Sequence, residues 1–309
     1  MPTYRQPLPR LEWWRAAGGT FSFEDHEIFY RDSGARDAGP ASGSPQVLLL
    51  LHGFPTSSFD WHTIWDRLAQ RFRLVTADML GFGFSAKPRD ARYSIFRQAD
   101  LFEALARHVG VADVHLLAHD YGDTVAQELL ARNGERPAAV PGREFRVRSA
   151  CLLNGGLFPE THRPLLIQKL LASPLGPLLA RSMSERRFQR SFAKIFGPRT
   201  RPTSDELAEY WAVISERNGQ LLFPKLIGYM AERRQNRARW VGVLQSRSVP
   251  IRLINGPADP ISGAHMVQRY RELVPDADVV ELPEIGHYPQ VEAPDAVVDA
   301  VMQFHDRLG

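Results

Sequence analysis

The sequence predicts an α/β fold: a mostly parallel sheet covered on both faces by helices, with a helical cap inserted late in the chain. Three observations carry this. Short apolar runs such as Val47 to Leu51 alternate with longer segments of helical spacing, the pattern of strands buried on both faces. A strand, a turn of small residues and a helix follow one another around Ala118-His119-Asp120-Tyr121-Gly122. Between Gly155 and Ser248 the strand signal stops, and helical patterns broken by prolines take over. The expected division is a core from residues 1–156 and 249–309, and a cap from 157–248.

In chain order, His26 to Tyr30 reads as an early edge strand and Gln46 to Leu51 as a buried one. Ser58 to Arg71 has helical spacing through Trp61, Ile64, Trp65 and Leu68. Phe72 to Ala77 is a strand, followed by a loop from Asp78 to Ser85 punctuated by Gly81 and Gly83. Ser94 to Val109 is an amphipathic helix, and Val114 to Leu117 the strand before the turn at Asp120. Arg148 to Leu153 and Pro250 to Asn255 are further strands. A helix from about Gly263 to Val274, a strand from Asp278 to Leu282 and a helix from about Pro294 to Leu308 complete the set. Gly34 to Pro45 reads as a mobile loop.

A chain of 309 residues, 44% hydrophobic and 24% charged, is expected to be a soluble globular protein with one large core. Its single cysteine, Cys151, excludes an intrachain disulfide and sits in an apolar run as a buried small hydrophobe. Met1 to Gly19 lacks the apolar core expected of a signal peptide, and no run approaches the roughly 18–20 apolar residues of a membrane span. Trp13 and Trp14 are expected to pack on the domain. Residues 157–248 carry 16 Lys and Arg against 7 Asp and Glu, a net of +9, while the rest carries 22 against 28. Arg233, Arg234, Arg237 and Arg239 form the densest part of that charge and read as a solvated helical surface, with attraction of anionic substrates or lipid surfaces as the alternative. No phosphate loop, zinc spacing or nucleic-acid motif accompanies it.

The turn at Asp120 has the layout of a nucleophile elbow with Asp where Ser is usual. A carboxylate there suits displacement at a saturated carbon, leaving an alkyl ester that water must hydrolyse. The backbone N–H groups of Phe54, in His52-Gly53-Phe54-Pro55, and of Tyr121 are the expected oxyanion donors. His287, after the last strand, is the candidate base. Asp259, in the loop after the preceding strand, is the candidate orienter of that base. The rival position for the acid falls near Asn154, which supplies no charge, and Glu284 lies too near His287 in sequence. His119 is expected to satisfy a local hydrogen bond, Asp123 to favour the helix dipole, and Asp78 to shape a loop near the pocket.

Together these motifs resemble the epoxide hydrolase and haloalkane dehalogenase branch of the α/β-hydrolases, from about Phe21 to Leu308. Longer stretches are similar to the mesoderm-specific transcript family: His52 to Ser58, Leu80 to Pro88, His119 to Leu129, Asn154 to Leu166 and Arg239 to Gly242. The resemblance implies the α/β-hydrolase fold, with a mostly parallel eight-stranded sheet and an inserted helical cap. It also implies an epoxide-hydrolase-like enzyme more than a settled substrate. Animal members of that family are associated with membranes; the missing span keeps that property from carrying over, and contact with a membrane surface is unsupported.

Haloalkane dehalogenases place Trp after the nucleophile and commonly Asn after His-Gly, where this chain has Tyr121 and Phe54. Epoxide hydrolases use cap tyrosines as oxygen donors. Tyr229 fits, with Tyr210 as a candidate partner and His162 or Arg163 as substitutes for it. Trp211, Phe158 and His52 are further substrate-binding candidates, and Phe54 and Phe84 complete an apolar pocket. The expected activity is opening of an epoxide to a vicinal diol, with no metal or organic cofactor, on a small hydrophobic substrate in the cytoplasm. The alternatives are a dehalogenase with an atypical halide site at Trp61, Trp211 or Trp240, and a hydrophobic-ligand-binding protein with little turnover.

Overall fold

The computed structural model describes residues 8–34, 46–136 and 145–309. Most of the loop expected from Gly34 to Pro45 lies outside them. The eight strands are β1 (Gly19–Phe23), β2 (His26–Asp32), β3 (Val47–Leu51), β4 (Arg73–Ala77), β5 (Asp113–His119), β6 (Arg146–Leu153), β7 (Ile251–Asn255) and β8 (Asp278–Glu281). They form one sheet in the order β1-β2-β4-β3-β5-β6-β7-β8. β1 and β2 pair antiparallel, as do β2 and β4, and the other pairs are parallel.

The central strands are buried on both faces. Leu48 to Leu51 of β3 and Leu116 to Ala118 of β5 are fully inaccessible, which explains their unbroken apolar sequence. Cys151 in β6 is likewise buried, and burial pushes its thiol pKa up. His26 to Tyr30 is not the edge strand. β1, whose Gly19-Thr20-Phe21-Ser22-Phe23 alternates exposed and buried residues at the sheet margin, covers it. The helix expected from Ser58 to Arg71 is broken into a 3₁₀ turn, Ser58–Trp61, and one α turn, Trp65–Leu68. Trp14 is fully buried against Trp65 and Phe59, as expected, whereas Trp13 is 43% exposed.

Between β6 and β7 every described element is helical, from Leu166–Leu171 to Arg237–Ser246. Among the described residues no helix is long and apolar enough to cross a membrane. The strand order switches at β3, which has β4 on one side and β5 on the other, both parallel to it. The crevice at the carboxyl ends of such strands is where ligands bind in open α/β sheets. Leu51 pairs with Ala118 there, so His52-Gly53-Phe54 emerges beside His119-Asp120.

Candidate active site

Asp120 holds φ 49° and ψ −104° between β5 and the helix Tyr121–Glu135. A non-glycine residue at positive φ is strained, and the surroundings enforce it. A side chain on Gly122 would overlap the Leu51 carbonyl, and one on Gly53 would come within 3.1 Å of Asp120 Cβ. Asp120 stands at the N-cap position but makes no side-chain capping bond. Its carboxylate is directed elsewhere: Oδ2 accepts the Phe54 N–H at 3.1 Å, and Oδ1 lies 4.0 Å from His287 Nε2. Tyr121 supplies the first N–H of the helix, one of the donors a helix start leaves free.

His287 and Asp259 meet as their types suggested. His287 Nδ1 donates to Asp259 Oδ2 at 2.7 Å, and both side chains are buried. Asp259 is saturated with donors: Ile261 N–H on Oδ1 at 2.7 Å, and Ser262 Oγ–H and Asn154 Nδ2–H on Oδ2 at 2.9 and 3.0 Å. Burial alone would raise Asp259; the imidazolium and these bonds outweigh it and hold it below its ordinary value. Burial would likewise depress His287, but the charge and hydrogen bond of Asp259, then the charge of Asp120, raise it to about 9. The rival acid position is thus part of the same cluster, since Asn154 serves as a donor to Asp259. Glu284 instead pairs with Arg199 at the surface.

His119 donates Nε2–H to the His287 carbonyl at 2.7 Å, and burial lowers it to about 3. Asp78 accepts the Ser58 N–H at 2.8 Å and the Phe84 N–H at 2.6 Å, fixing the loop before the pocket.

The pocket above Asp120 and His287 is apolar. Phe54, Leu165, Ile167, Phe188, Phe192 and Phe223 are among its walls, with Gln168 and Ser191 as the polar exceptions. Several expected lining residues do not face it. His52 is buried with Nε2 accepting the Met79 N–H and Nδ1 donating to the Gly53 carbonyl, so it braces the oxyanion loop. Phe158 packs in the core near Tyr270, and Phe84 packs on Phe29. Tyr210 sits behind the wall against Phe192, Phe59 and Tyr288, and Trp211 stacks on the outer side of Phe188. Tyr229 lies one layer beneath Phe54, edge-on to Tyr121 at 5.0 Å. Its hydroxyl is buried without a partner among the described residues; burial, then the Asp120 charge, push its pKa up and keep it an O–H donor. The tryptophans expected for a halide site are not among the pocket walls: Trp61 is inaccessible, and Trp240 Nε1 donates to Glu128 at 2.8 Å.

The largest correction concerns Arg233, expected on a solvated surface. It is 3% exposed and reaches into the elbow, donating to Thr124 Oγ1 at 2.6 Å and to the Asp120 carbonyl at 3.0 Å. Arg237 and Arg239 do lie at the surface, paired with Glu160 and with Glu128 and Glu135. Among the described residues, no group of His, Cys, Asp and Glu is arranged to hold a metal ion.

Residues 48–300 match the Alpha/beta hydrolase family. The mesoderm-specific transcript protein of Mus musculus is 47% identical over 306 residues, covering 97% of this chain and 89% of that one. The solved structure of epoxide hydrolase CorEH superposes with a TM-score of 0.74 at 18% identity, covering 94% of this chain and 99% of that one. Haloalkane dehalogenase DbeA from Bradyrhizobium elkani USDA94 superposes with a TM-score of 0.72 at 23% identity, covering 94% and 99%. At these identities the two structures share the fold.

Proposed function

The chain belongs to the alpha/beta hydrolase family, among the mesoderm-specific transcript proteins, and on that premise we propose that it hydrolyses epoxides through an ester on Asp120. One observation carries the reading. The strained elbow presents a carboxylate, with one oxygen on a backbone N–H and the other facing a buried His–Asp pair.

In the first step Asp120 Oδ1 attacks a ring carbon. The C–O bond breaks and its electron pair goes to the ring oxygen, which accepts a hydrogen bond from the Tyr229 hydroxyl and takes the proton of the resting His287 imidazolium, leaving His287 neutral. The ester carbonyl, formed from Oδ2, stays on the Phe54 N–H, joined by that of Tyr121. In the second step neutral His287 takes a proton from water, whose oxygen attacks the Asp120 carboxyl carbon. The diol oxygen leaves, takes the proton from His287, and Asp120 is regenerated with one oxygen from water.

The electrostatics support this order. At rest His287, at about 9, is an imidazolium held partly by the Asp120 charge. Esterification removes that charge, which lowers His287 and favours the neutral base while an ester awaits hydrolysis. The helical segment over the pocket supplies the apolar walls, which favour a hydrophobic substrate and exclude bulk water.

The test is the His287→Gln variant with 1,2-epoxyoctane. The ester forms and persists, and peptide mass spectrometry finds the substrate mass on Asp120. An unmodified Asp120, in a folded variant with the epoxide in excess, overturns the reading.

A further inference from the structure

Arg233 is a buried cation whose hydrogen bonds reach no carboxylate. Its Nε and Nη2 meet only neutral acceptors, Thr124 Oγ1 and the Asp120 carbonyl, and Nη1 is buried with no partner among the described residues. Asp123, on the first turn of the helix that Arg233 touches, makes no hydrogen bond to it among the described residues. Burial, then the Asp120 charge, push the Asp123 carboxyl well above the carboxylate range, and its Oδ2 is also unpartnered. A guanidinium so placed is costly unless an anion meets it.

Unpaired polar atoms gather around Nη1. A side-chain carbon on Gly156 would overlap Arg233 Nη1 and lie 3.0 Å from His162 Nδ1. The guanidinium and the imidazole therefore meet over bare backbone. Both ring nitrogens of His162 are buried and unpartnered. Burial, then the Arg233 charge, lower His162 to about 3, so the ring is neutral and offers one N–H. The Tyr229 ring lies 4.5 Å from the guanidinium carbon, and its buried hydroxyl, within reach of the Arg233 side chain, is a further donor.

We propose that Arg233 Nη1, His162 and the Tyr229 hydroxyl form a subsite for a negatively charged oxygen beside the nucleophile. That oxygen has two sources. One is the alkoxide generated as the Asp120–carbon bond forms and the ring C–O bond breaks; this source rests on the epoxide reading. The other is a carboxylate carried by the substrate, which does not.

Two measurements on the full chain separate them. Calorimetry compares nonanoate with the neutral nonanamide in the wild-type protein, Arg233→Met, Arg233→Lys and His162→Leu. Trapping in the His287→Gln background compares the rate of Asp120 esterification by 1,2-epoxyoctane and by 1-bromooctane, whose bromide needs little hydrogen bonding. A carboxylate subsite gives nonanoate a preference that falls about 10- to 100-fold in Arg233→Met and His162→Leu and recovers in part in Arg233→Lys. An alkoxide subsite gives a loss of the same size in esterification by the epoxide and not by the bromide. His162→Leu is the decisive variant, because His162 holds no bond to the elbow. If nonanoate and nonanamide bind alike in every protein, and both probes slow equally or not at all, Arg233 only braces the elbow and the subsite does not exist. Failure of all trapping with Arg233 intact refutes the displacement reading, and the binding arm still decides the subsite.

Discussion

Replacing Asp259 by Asn should uncouple the two chemical steps. The substitution keeps the shape but reverses one edge of a saturated site. Oδ2 of Asp259 accepts from His287 Nδ1, Ser262 Oγ and Asn154 Nδ2. The Asn154 amide cannot turn to help, because its Oδ1 accepts the Gly256 N–H at 2.8 Å and its Nδ2 also donates to the Gly256 carbonyl at 3.0 Å. The amide oxygen therefore takes the Oδ2 place and still accepts from His287 Nδ1, the NH₂ confronts the Ile261 N–H, and the main loss is the negative charge beside the imidazolium. The charge that does most to raise His287 to about 9 would be gone. Loss of that charge lowers His287 and weakens the imidazolium that forms in the hydrolytic step, an effect on the order of 10²-fold in rate. Asp120 needs no base to attack, so ester formation should change little. Rapid-quench mass spectrometry would show a burst of modified Asp120 followed by very slow diol release. Turnover within tenfold of wild type, or loss of the burst with normal hydrolysis of preformed ester, would refute the assignment.

Two other outcomes follow from the same geometry. Tyr229→Phe keeps the ring against Tyr121 and the guanidinium of Arg233 but removes the free hydroxyl; esterification by 1,2-epoxyoctane should fall about 10²-fold, read as the burst rate, and an unchanged rate would remove Tyr229 from the mechanism. His287, raised to about 9 in the fold, stabilises the protein fully below its unfolded value near 6.5 and loses that contribution as pH rises toward 9. The melting temperature of wild type relative to His287→Gln should therefore decline between about pH 6.5 and 9, and a flat difference across that window would contradict the buried imidazolium.

The elbow and its partners were legible because they are made by residue type at strand ends. Asp120 follows a strand that apolar neighbours on both sides force into the sheet centre, and His287 and Asp259 follow strands in the order the fold uses. The choice between Asp259 and the position near Asn154 was also open to chemistry, since only one carries charge. Burial of Arg233 was not legible. Its neighbours Arg234, Arg237 and Arg239 mimic a surface run, and its partners, the Asp120 carbonyl and Thr124, lie more than a hundred residues earlier. One signal was present: Gly155-Gly156 leaves room for a large side chain from elsewhere. The pocket wall was missed for a similar reason. Leu165, Ile167 and Phe192 come from short helices whose inward face is set by how the insert folds over the sheet. Phe158, Phe84 and Tyr210 had the right chemistry and the wrong direction. β1 was missed because its glycine start and alternating pattern belong to a margin strand, not to a buried run.

A single turnover in heavy-oxygen water tests the Asp120 ester most directly. With enzyme in excess over 1,2-epoxyoctane, the account predicts unlabelled diol and one heavy oxygen in the peptide that contains Asp120. Labelled diol with an unlabelled Asp120 peptide would mean that water attacks the substrate directly, and would contradict it.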